Sequence, residues 1–416
     1  MPRATCLVVG CWLAVSPPLS AGGEVEAHLA RAQQLRREGK LQEARAECQE
    51  ALRAQPRDLE IRIELGLVEL DLKEVDRARG LLEEAAGNGG SAPAVLLKIA
   101  AGYLRAGLLD DAQRHLERAA QLDPTLPRLT LLLGQLYSGR RLFPAAVRYL
   151  EEAVRQDPTA PQPHGLLGIT LSLMGDRARA TLELERAAEL APENPGFHYY
   201  LGLAYLEADR YEDAARELQR TVRLDPRDAQ AQVDLGWALI GVGRNSEAGE
   251  RLQGALRLAP ANATTWFLLG ESRRRIGDVD EAIRAFEKCL ELDDRRTDAL
   301  FSLGTIYFLR QDRPRATGYF RRLLTANPRH PGAHYQLGKL LLSQGSLDEA
   351  ITHLRQAVAI EPRSKGAHYQ LARAYRLQGN AEAAEREGNV FRELGTEVTD
   401  EASWRRDRLA PIPKTP

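Results

Sequence analysis

LDP at residues 122–124 is followed by QDP at 156–158, LAP at 190–192, LDP at 224–226 and LAP at 258–260, each 34 residues after the last. The series continues as LDD at 292–294, ANP at 326–328 and IEP at 360–362, and no insertion disturbs the spacing. A strict period of roughly 20–50 residues is typical of architectures in which each repeat buries its apolar face only against its neighbours. The sequence therefore predicts a stack of similar repeats.

Extending this period outward gives eleven repeats, and residues are described here by their position within a repeat. Position 8 is always Gly or Ala, position 20 is always Ala, and position 7 is Leu or Ile in all repeats but the first. Small residues on helix faces let two backbones approach closely, and apolar residues at helical spacing fill a core. The predicted repeats are 25–58, 59–92, 93–126, 127–160, 161–194, 195–228, 229–262, 263–296, 297–330, 331–364 and 365–398.

This pattern resembles that of the tetratricopeptide-repeat (TPR) family over about nine-tenths of the chain. Gly236, Ala248 and Pro260, at spacings of twelve residues, show the match well. The resemblance implies an all-α fold, a TPR-type α-solenoid in which helix–turn–helix repeats form a right-handed superhelix. It also implies that the inner face of the first helices lines a concave groove, which in this family holds peptides or partner helices.

Glycine and capping residues predict where the helices start and stop. Gly occupies position 15 in seven repeats, where a left-handed residue can end the first helix. Asn194, Asp228, Asn262 and Ser364 precede first helices and are predicted to be N-caps.

The two ends of the chain do not fit the repeat. Arg3 precedes an apolar run at 4–15 and then small residues, which predicts a secretory signal peptide at 1–23, cleaved after Ala21 or Gly22. A disordered tail or a short anchor is the alternative, although the run is short for a membrane span. At the other end, 399–416 is predicted to hold a capping helix at 400–409, which gives the stack a polar end, and a disordered tail.

Composition narrows the classes of partner. The net charge is -1 with 28% charged residues, so the chain as a whole has no excess positive charge to attract nucleic acid or an anionic membrane.

Removal of the signal would remove Cys6 and Cys11. Cys48 and Cys289 remain, and both are predicted to be small buried residues with no intrachain disulfide.

Histidine at position 4 is the one recurring residue that invites a chemical role. Paired histidine ligands usually lie one helical turn apart, whereas these recur one repeat apart with no acid or cysteine evident beside them. The chain also shows no nucleophile elbow, phosphate-binding glycine loop or paired Cys-x-x-Cys. The sequence therefore predicts a protein that is not an enzyme, with no catalytic residue, metal or cofactor. The five histidines are His28, His164, His198, His334 and His368.

Positions 5, 9 and 12 share one side of each first helix, beside the buried positions. In the later repeats most of these positions are apolar and position 5 is rich in rings, which favours contact with a protein partner. The same rings could instead pack against the neighbouring repeat. The predicted groove residues are Tyr199, Leu203, Leu206, Val233, Trp237, Phe267, Phe301, Phe308, Tyr335 and Tyr369.

The predicted function is an exported, non-catalytic protein–protein interaction scaffold, periplasmic or extracellular, that binds a partner protein segment in its groove. A cytoplasmic regulatory adaptor is the alternative if the N-terminus is not cleaved, and a repeat-bearing subunit of an enzyme such as a glycosyltransferase is another. Family repeats that clamp a C-terminal carboxylate use Lys and Asn where this chain has Tyr199, Leu203 and Val233, so that subtype is disfavoured. The mature chain is predicted not to bind nucleic acid. It is also predicted to have no membrane-spanning segment once the signal peptide is removed.

Overall fold

The structure, a computed structural model, describes residues 21–87 and 92–395, and in these ranges the chain folds into α-helices with no strand. The predicted all-α fold is confirmed. Most of the predicted signal peptide and the predicted capping helix at 400–409 lie outside the described residues. The first eleven helices are α1 (Ala21–Arg37), α2 (Leu41–Ala54), α3 (Leu59–Asp71), α4 (Val75–Gly87), α5 (Pro93–Arg105), α6 (Leu109–Leu122), α7 (Leu129–Gly139), α8 (Phe143–Gln156), α9 (Pro161–Met174), α10 (Arg177–Leu190) and α11 (Pro195–Glu207). The next eleven are α12 (Tyr211–Leu224), α13 (Ala229–Val242), α14 (Asn245–Leu258), α15 (Ala263–Arg275), α16 (Val279–Leu292), α17 (Thr297–Leu309), α18 (Arg313–Ala326), α19 (Pro331–Ser343), α20 (Leu347–Ile360), α21 (Lys365–Gln378) and α22 (Ala381–Glu393).

The helices form antiparallel pairs joined by short turns, as in α1–α2 and α21–α22. The chain divides into two compact units, an N-terminal unit of residues 1–187 and a C-terminal unit of residues 188–416. The core of the N-terminal unit includes Leu82, Leu96 and Leu116, all fully buried. In the C-terminal unit the same role falls to buried residues such as Leu252 and Phe320.

Position 8 is a close contact between the two helices of a repeat. A Cβ atom built on Gly236 would lie 2.6 Å from Cγ of Leu252, which is at position 24 of the same repeat. Real Cβ atoms do not approach so closely, so only glycine fits without movement of the leucine. The same contact joins Gly66 to Leu82, Gly134 to Leu150, Gly168 to Leu184, Gly202 to Leu218, Gly270 to Phe286, Gly304 to Phe320 and Gly338 to Leu354.

Position 15 is left-handed in all eleven repeats, including those that lack glycine. Lys73, Arg141, Asp209 and Gln311 have φ values of 65°, 59°, 56° and 62°. The left-handed conformation is unfavourable by roughly 1–2 kcal/mol for a non-glycine residue, because its Cβ lies too close to the following carbonyl oxygen. The turn geometry is therefore set by the packing of the two helices, and glycine is the residue that meets it most easily.

Side-chain caps start several of the first helices as predicted. Asn194, Asp228 and Asn262 accept hydrogen bonds from the backbone N–H groups of Gly196, Ala231 and Thr265. Ser364 is the N-cap residue of α21 as predicted, but its buried side chain makes no capping hydrogen bond with that helix.

Cys48 and Cys289 are both fully buried and free, so their predicted role as small core residues is confirmed. Burial raises the pKa of each thiol to about 12, because the thiolate would lose its hydration. Neither side chain is therefore a ready nucleophile at neutral pH. Among the described residues, none of the helices combines the length and the apolar character needed to cross a bilayer.

Candidate protein-binding surface

The term inner stripe is used here for positions 5, 9 and 12 of the first helices α11, α13, α15, α17, α19 and α21. The structure places all ten predicted groove residues on these helices, but it exposes them to different degrees. Tyr369 is exposed; Tyr199, Leu203, Trp237, Phe301 and Phe308 are half-buried; Leu206, Val233, Phe267 and Tyr335 are buried.

Rings at position 5 contact the first helix of the following repeat. A Cβ atom on Gly332 would lie 3.2 Å from Cε2 of Phe301, and a Cβ atom on Gly366 would lie 3.1 Å from the hydroxyl of Tyr335. The Phe301 ring also packs on Phe320, with centroids 6.0 Å apart. Phe301 and Tyr335 therefore each contact the next helical hairpin and help to hold successive hairpins together.

Basic side chains lie beside the aromatic rings in the later part of the inner stripe. Lys339 Nζ lies 5.3 Å from the ring centroid of Phe308 and 5.3 Å from that of Tyr335. A cation over an aromatic face is attracted by the negative charge on the face of the ring. Arg373 and Arg376 occupy positions 9 and 12 of α21. This part of the stripe therefore combines apolar surface with basic groups.

A buried carboxyl group lies beside the earlier part of the stripe. Asp234, at position 6 of α13, is 3% exposed. The Tyr199 hydroxyl donates to Asp234 Oδ2 at 3.1 Å, and Gln230 Nε2 donates to Oδ1 at 3.1 Å. Burial raises the pKa of Asp234 to about 6, because these two neutral donors offset only part of the lost hydration. Sequence reasoning did not select Asp234, since a single acid at position 6 gives no sign of its burial.

Asp234→Asn is expected to raise the free energy of unfolding at pH 7 by about 1–3 kcal/mol. The folded-state pKa near 6 lies above the ordinary aspartate value, so the folded protein binds more protons than the unfolded chain between about pH 4 and 6. The free energy of unfolding of the wild type should therefore fall as pH rises through this window. In Asp234→Asn the contribution of this carboxyl group to the fall should be absent. Urea unfolding from pH 4 to 8 measures both effects.

Glu212→Gln, an exposed change on the adjacent α12, is the matched control and should leave the pH profile unchanged. Parallel pH profiles for wild type and Asp234→Asn would contradict the burial of an ionised carboxylate.

Each position-4 histidine of this kind connects its own helix to the second helix of the same repeat and to the turn that precedes the repeat. In repeat 6, His198 Nδ1 lies 2.7 Å from Glu217 Oε2, and His198 Nε2 lies 2.9 Å from the Pro192 carbonyl oxygen. Because a carbonyl only accepts, Nε2 is the donor to Pro192. One ring thus ties α11 both to α12 and to the turn before α11. His164 with Glu183 and Pro158, and His368 with Glu387 and Pro362, repeat the arrangement.

Other side chains at position 4 reach the same carbonyl. Gln232 Nε2 donates to the Pro226 oxygen at 2.8 Å, and Trp266 Nε1 donates to the Pro260 oxygen at 3.0 Å. In these repeats the side chain at position 4 therefore satisfies the turn carbonyl, whether it is His, Gln or Trp. In repeat 10, His334 does so as well, and its Nδ1 meets His353 Nδ1 at 3.0 Å.

The expectation that no acid accompanies these histidines was wrong. An acid follows 19 residues later at Glu47, Glu183, Glu217 and Glu387, a constant offset that the sequence contained. The offset was missed because position 23 lies on the partner helix and has no helical periodicity with position 4. Over the residues that the structure describes, no three His, Cys, Asp or Glu side chains group closely enough to hold a metal ion.

Tetratricopeptide-repeat models match residues 29–93, 103–169, 171–232, 203–263 and 233–296, and a TPR-repeat model matches 338–379. A model described as anaphase-promoting complex, cyclosome, subunit 3 matches residues 277–357. Together these matches span nearly all of 29–379. The chain belongs to the tetratricopeptide-repeat family, and its fold is that of a protein–protein interaction scaffold.

No curated protein matches the chain. Among solved structures, a crystal structure of MamA protein is 24% identical, with 41% of this chain and 93% of that chain covered at a TM-score of 0.39. MamA 41-end from Desulfovibrio magneticus RS-1 is 29% identical, with 41% and 96% covered at a TM-score of 0.39. Yeast Tom70 is 16% identical, with 90% and 93% covered at a TM-score of 0.41.

Proposed function

We propose that the chain is an exported, non-catalytic scaffold that binds a segment of a partner protein along the inner stripe of its C-terminal unit. The observation that carries this proposal is the set of large rings left partly in water on the first helices: Tyr199, Trp237, Phe308 and Tyr369. Such rings contribute most to binding when a partner removes them from water.

The charges near these rings indicate the chemistry of the partner. Lys339, Arg373 and Arg376 share the stripe with Phe308 and Tyr369. A partner segment that carries apolar side chains together with Asp or Glu satisfies both features, since each basic group gains a charge-assisted contact. The proposed partner segment is therefore apolar and acidic.

Trp237→Ala combined with Phe308→Ala is expected to abolish binding, because each hot-spot ring contributes about 2 kcal/mol or more. The probe is a peptide selected on the intact chain from a random displayed library, with its affinity measured by calorimetry. Phe301 is unsuitable for this test, since its packing on Phe320 makes it part of the fold.

Leu258→Ala is the matched control: this leucine is exposed at the end of α14 and lies outside the inner stripe. The double variant should keep most of its thermal stability. Selected peptides that bind the double variant as tightly as wild type, or a collapse of stability that accompanies the loss of binding, would contradict the proposal.

Export is tested separately. Support for it comes from Arg3 and the apolar run at 4–15. Mass-spectrometric sequencing of the chain from its native cell should find an N-terminus at Gly22 or Gly23. An intact Met1 on a chain that fractionates with the cytoplasm would favour the adaptor alternative.

A further inference from the structure

Repeat 10 differs from the other repeats that carry histidine at position 4. In those four repeats an acid at position 23 faces the histidine, as Glu217 faces His198. Repeat 10 has His353 at position 23, so two imidazole rings face each other. The Nδ1 atoms of His334 and His353 lie 3.0 Å apart, and their ring centroids lie 5.2 Å apart.

The sequence argument against a metal site does not apply to this pair. That argument concerned histidines one repeat apart, whereas His334 on α19 and His353 on α20 belong to the two helices of one repeat. The hairpin brings their side chains together, although the two residues are 19 positions apart in the chain.

The hydrogen bonds of His334 leave a lone pair directed at His353. The Pro328 carbonyl oxygen lies 3.0 Å from His334 Nε2 and can only accept, so Nε2 carries the proton of the neutral ring. The Nδ1 atom of that ring is then an acceptor. One shared cation, either a proton carried by His353 Nδ1 or a metal ion, can therefore occupy the space between the two Nδ1 atoms.

The surroundings of the pair are those of metal-binding histidines. A histidine ligand usually donates its other ring N–H to a carbonyl or a carboxylate, which fixes the orientation of the ring. His334 donates to the Pro328 carbonyl, and His353 Nε2 lies 3.9 Å from Glu349 Oε1, one helical turn away on α20. Glu349 is itself held by Arg321 of α18 at 2.6 Å. Each ring therefore has an outer partner at the nitrogen that does not face the other ring.

The separation of the rings suits a small divalent ion. Zinc binds imidazole nitrogen at about 2.0–2.1 Å in tetrahedral geometry, which places two such nitrogens about 3.4 Å apart. The two Nδ1 atoms, now 3.0 Å apart, would need to separate by only about 0.4 Å. The His353 side chain is 20% exposed, so it has room for this adjustment and water can reach the pair. Imidazole is a preferred ligand of zinc, copper and nickel, whereas magnesium and calcium prefer oxygen.

We propose that His334 and His353 bind one divalent transition-metal ion of the zinc class through their Nδ1 atoms. The ion joins α19 to α20 within repeat 10, and water fills its other two positions. This inference goes beyond the proposed function and does not depend on it, because positions 4 and 23 lie outside the inner stripe.

Calorimetric titration of the intact, chelator-treated chain with zinc chloride tests the proposal. We expect one equivalent of zinc to bind saturably, and His353→Gln to weaken this binding about tenfold or more. Loss of an outer-shell partner alone typically costs about 10–100-fold at a metal site, and this variant removes a ligand. Its amide can still donate to His334 Nδ1, which helps to preserve the hairpin.

His28→Gln is the matched control, because this histidine also occupies position 4 but faces Glu47. Its side chain is 42% exposed, so the fold should be kept and zinc binding should be unchanged.

Nitrogen-15 NMR of the histidine rings gives a second measurement that does not depend on how well a variant folds. The first equivalent of zinc should shift the Nδ1 resonances of two rings in wild type. No saturable binding, or equal affinity of wild type and a folded His353→Gln, would overturn the proposal. Shifts of no ring, or small shifts spread over many rings, would indicate an adventitious ion only and would also overturn it.

Discussion

Gly236→Leu is expected to lower the free energy of unfolding by at least about 1–3 kcal/mol, the usual cost of overpacking a core. Even a single Cβ atom at this position would lie 2.6 Å from Leu252 Cγ and 2.7 Å from its Cδ2. Leu252 is itself fully buried, so it has no free space into which it can move. The larger side chain must therefore separate α13 from α14. Thermal and urea unfolding measure the loss.

The loss should begin locally, because repeats are coupled only through the contacts with their neighbours. Hydrogen exchange should show amides of α13 and α14 opening before the rest of the C-terminal unit. Gly236→Ala combined with Leu252→Ala provides the control, since truncation of the leucine makes room for the new methyl group. The destabilisation of the pair should be clearly less than the sum of the two single changes. An unchanged melting curve for Gly236→Leu would show that position 8 is not the close contact described.

His198→Ala is expected to lower the free energy of unfolding by at least about 1–3 kcal/mol, the cost of leaving a buried acceptor without its hydrogen-bond partner, which is larger for a charged acceptor. The histidine is 1% exposed, and its loss leaves both the Glu217 carboxylate and the Pro192 carbonyl without this partner. Arg220 lies 3.4 Å from the Glu217 carboxylate and offsets a part of the cost. Chemical unfolding at fixed pH measures the change.

The chain offers its own control for this substitution. Repeat 7 carries Gln232 and Arg251 where repeat 6 carries His198 and Glu217, and Gln232 donates to its own turn carbonyl at 2.8 Å. His198→Gln combined with Glu217→Arg should therefore recover most of the lost stability. A cost below about 1 kcal/mol for His198→Ala would mean that the bridge contributes no more than an ordinary exposed hydrogen bond.

Features that depend on residues close in sequence were predictable. The period of 34, the small residues at positions 8 and 20 and the glycines at position 15 predict helical hairpins. The glycines at position 15 report a local backbone requirement, and the small residues at position 8 report close contact between two helices that are neighbours in the chain. Asn194 and Asp228 were predictable as caps for the same reason. Even here the packing decided some cases, since Gln311 takes the left-handed conformation that its side chain disfavours.

Which residues of the candidate surface are exposed to water was decided only by the tertiary structure. Tyr335 and Tyr369 are the same residue at the same position, yet Tyr335 is 6% exposed and Tyr369 is 50% exposed. The sequence determined that both lie on one side of a first helix, because helical spacing is a local property. Which ring meets water depends on what packs over it: Gly366 of the following helix covers Tyr335, whereas Tyr369 belongs to the last described hairpin. Burial is a property of contacts between repeats, so no residue type or spacing within one repeat could determine it.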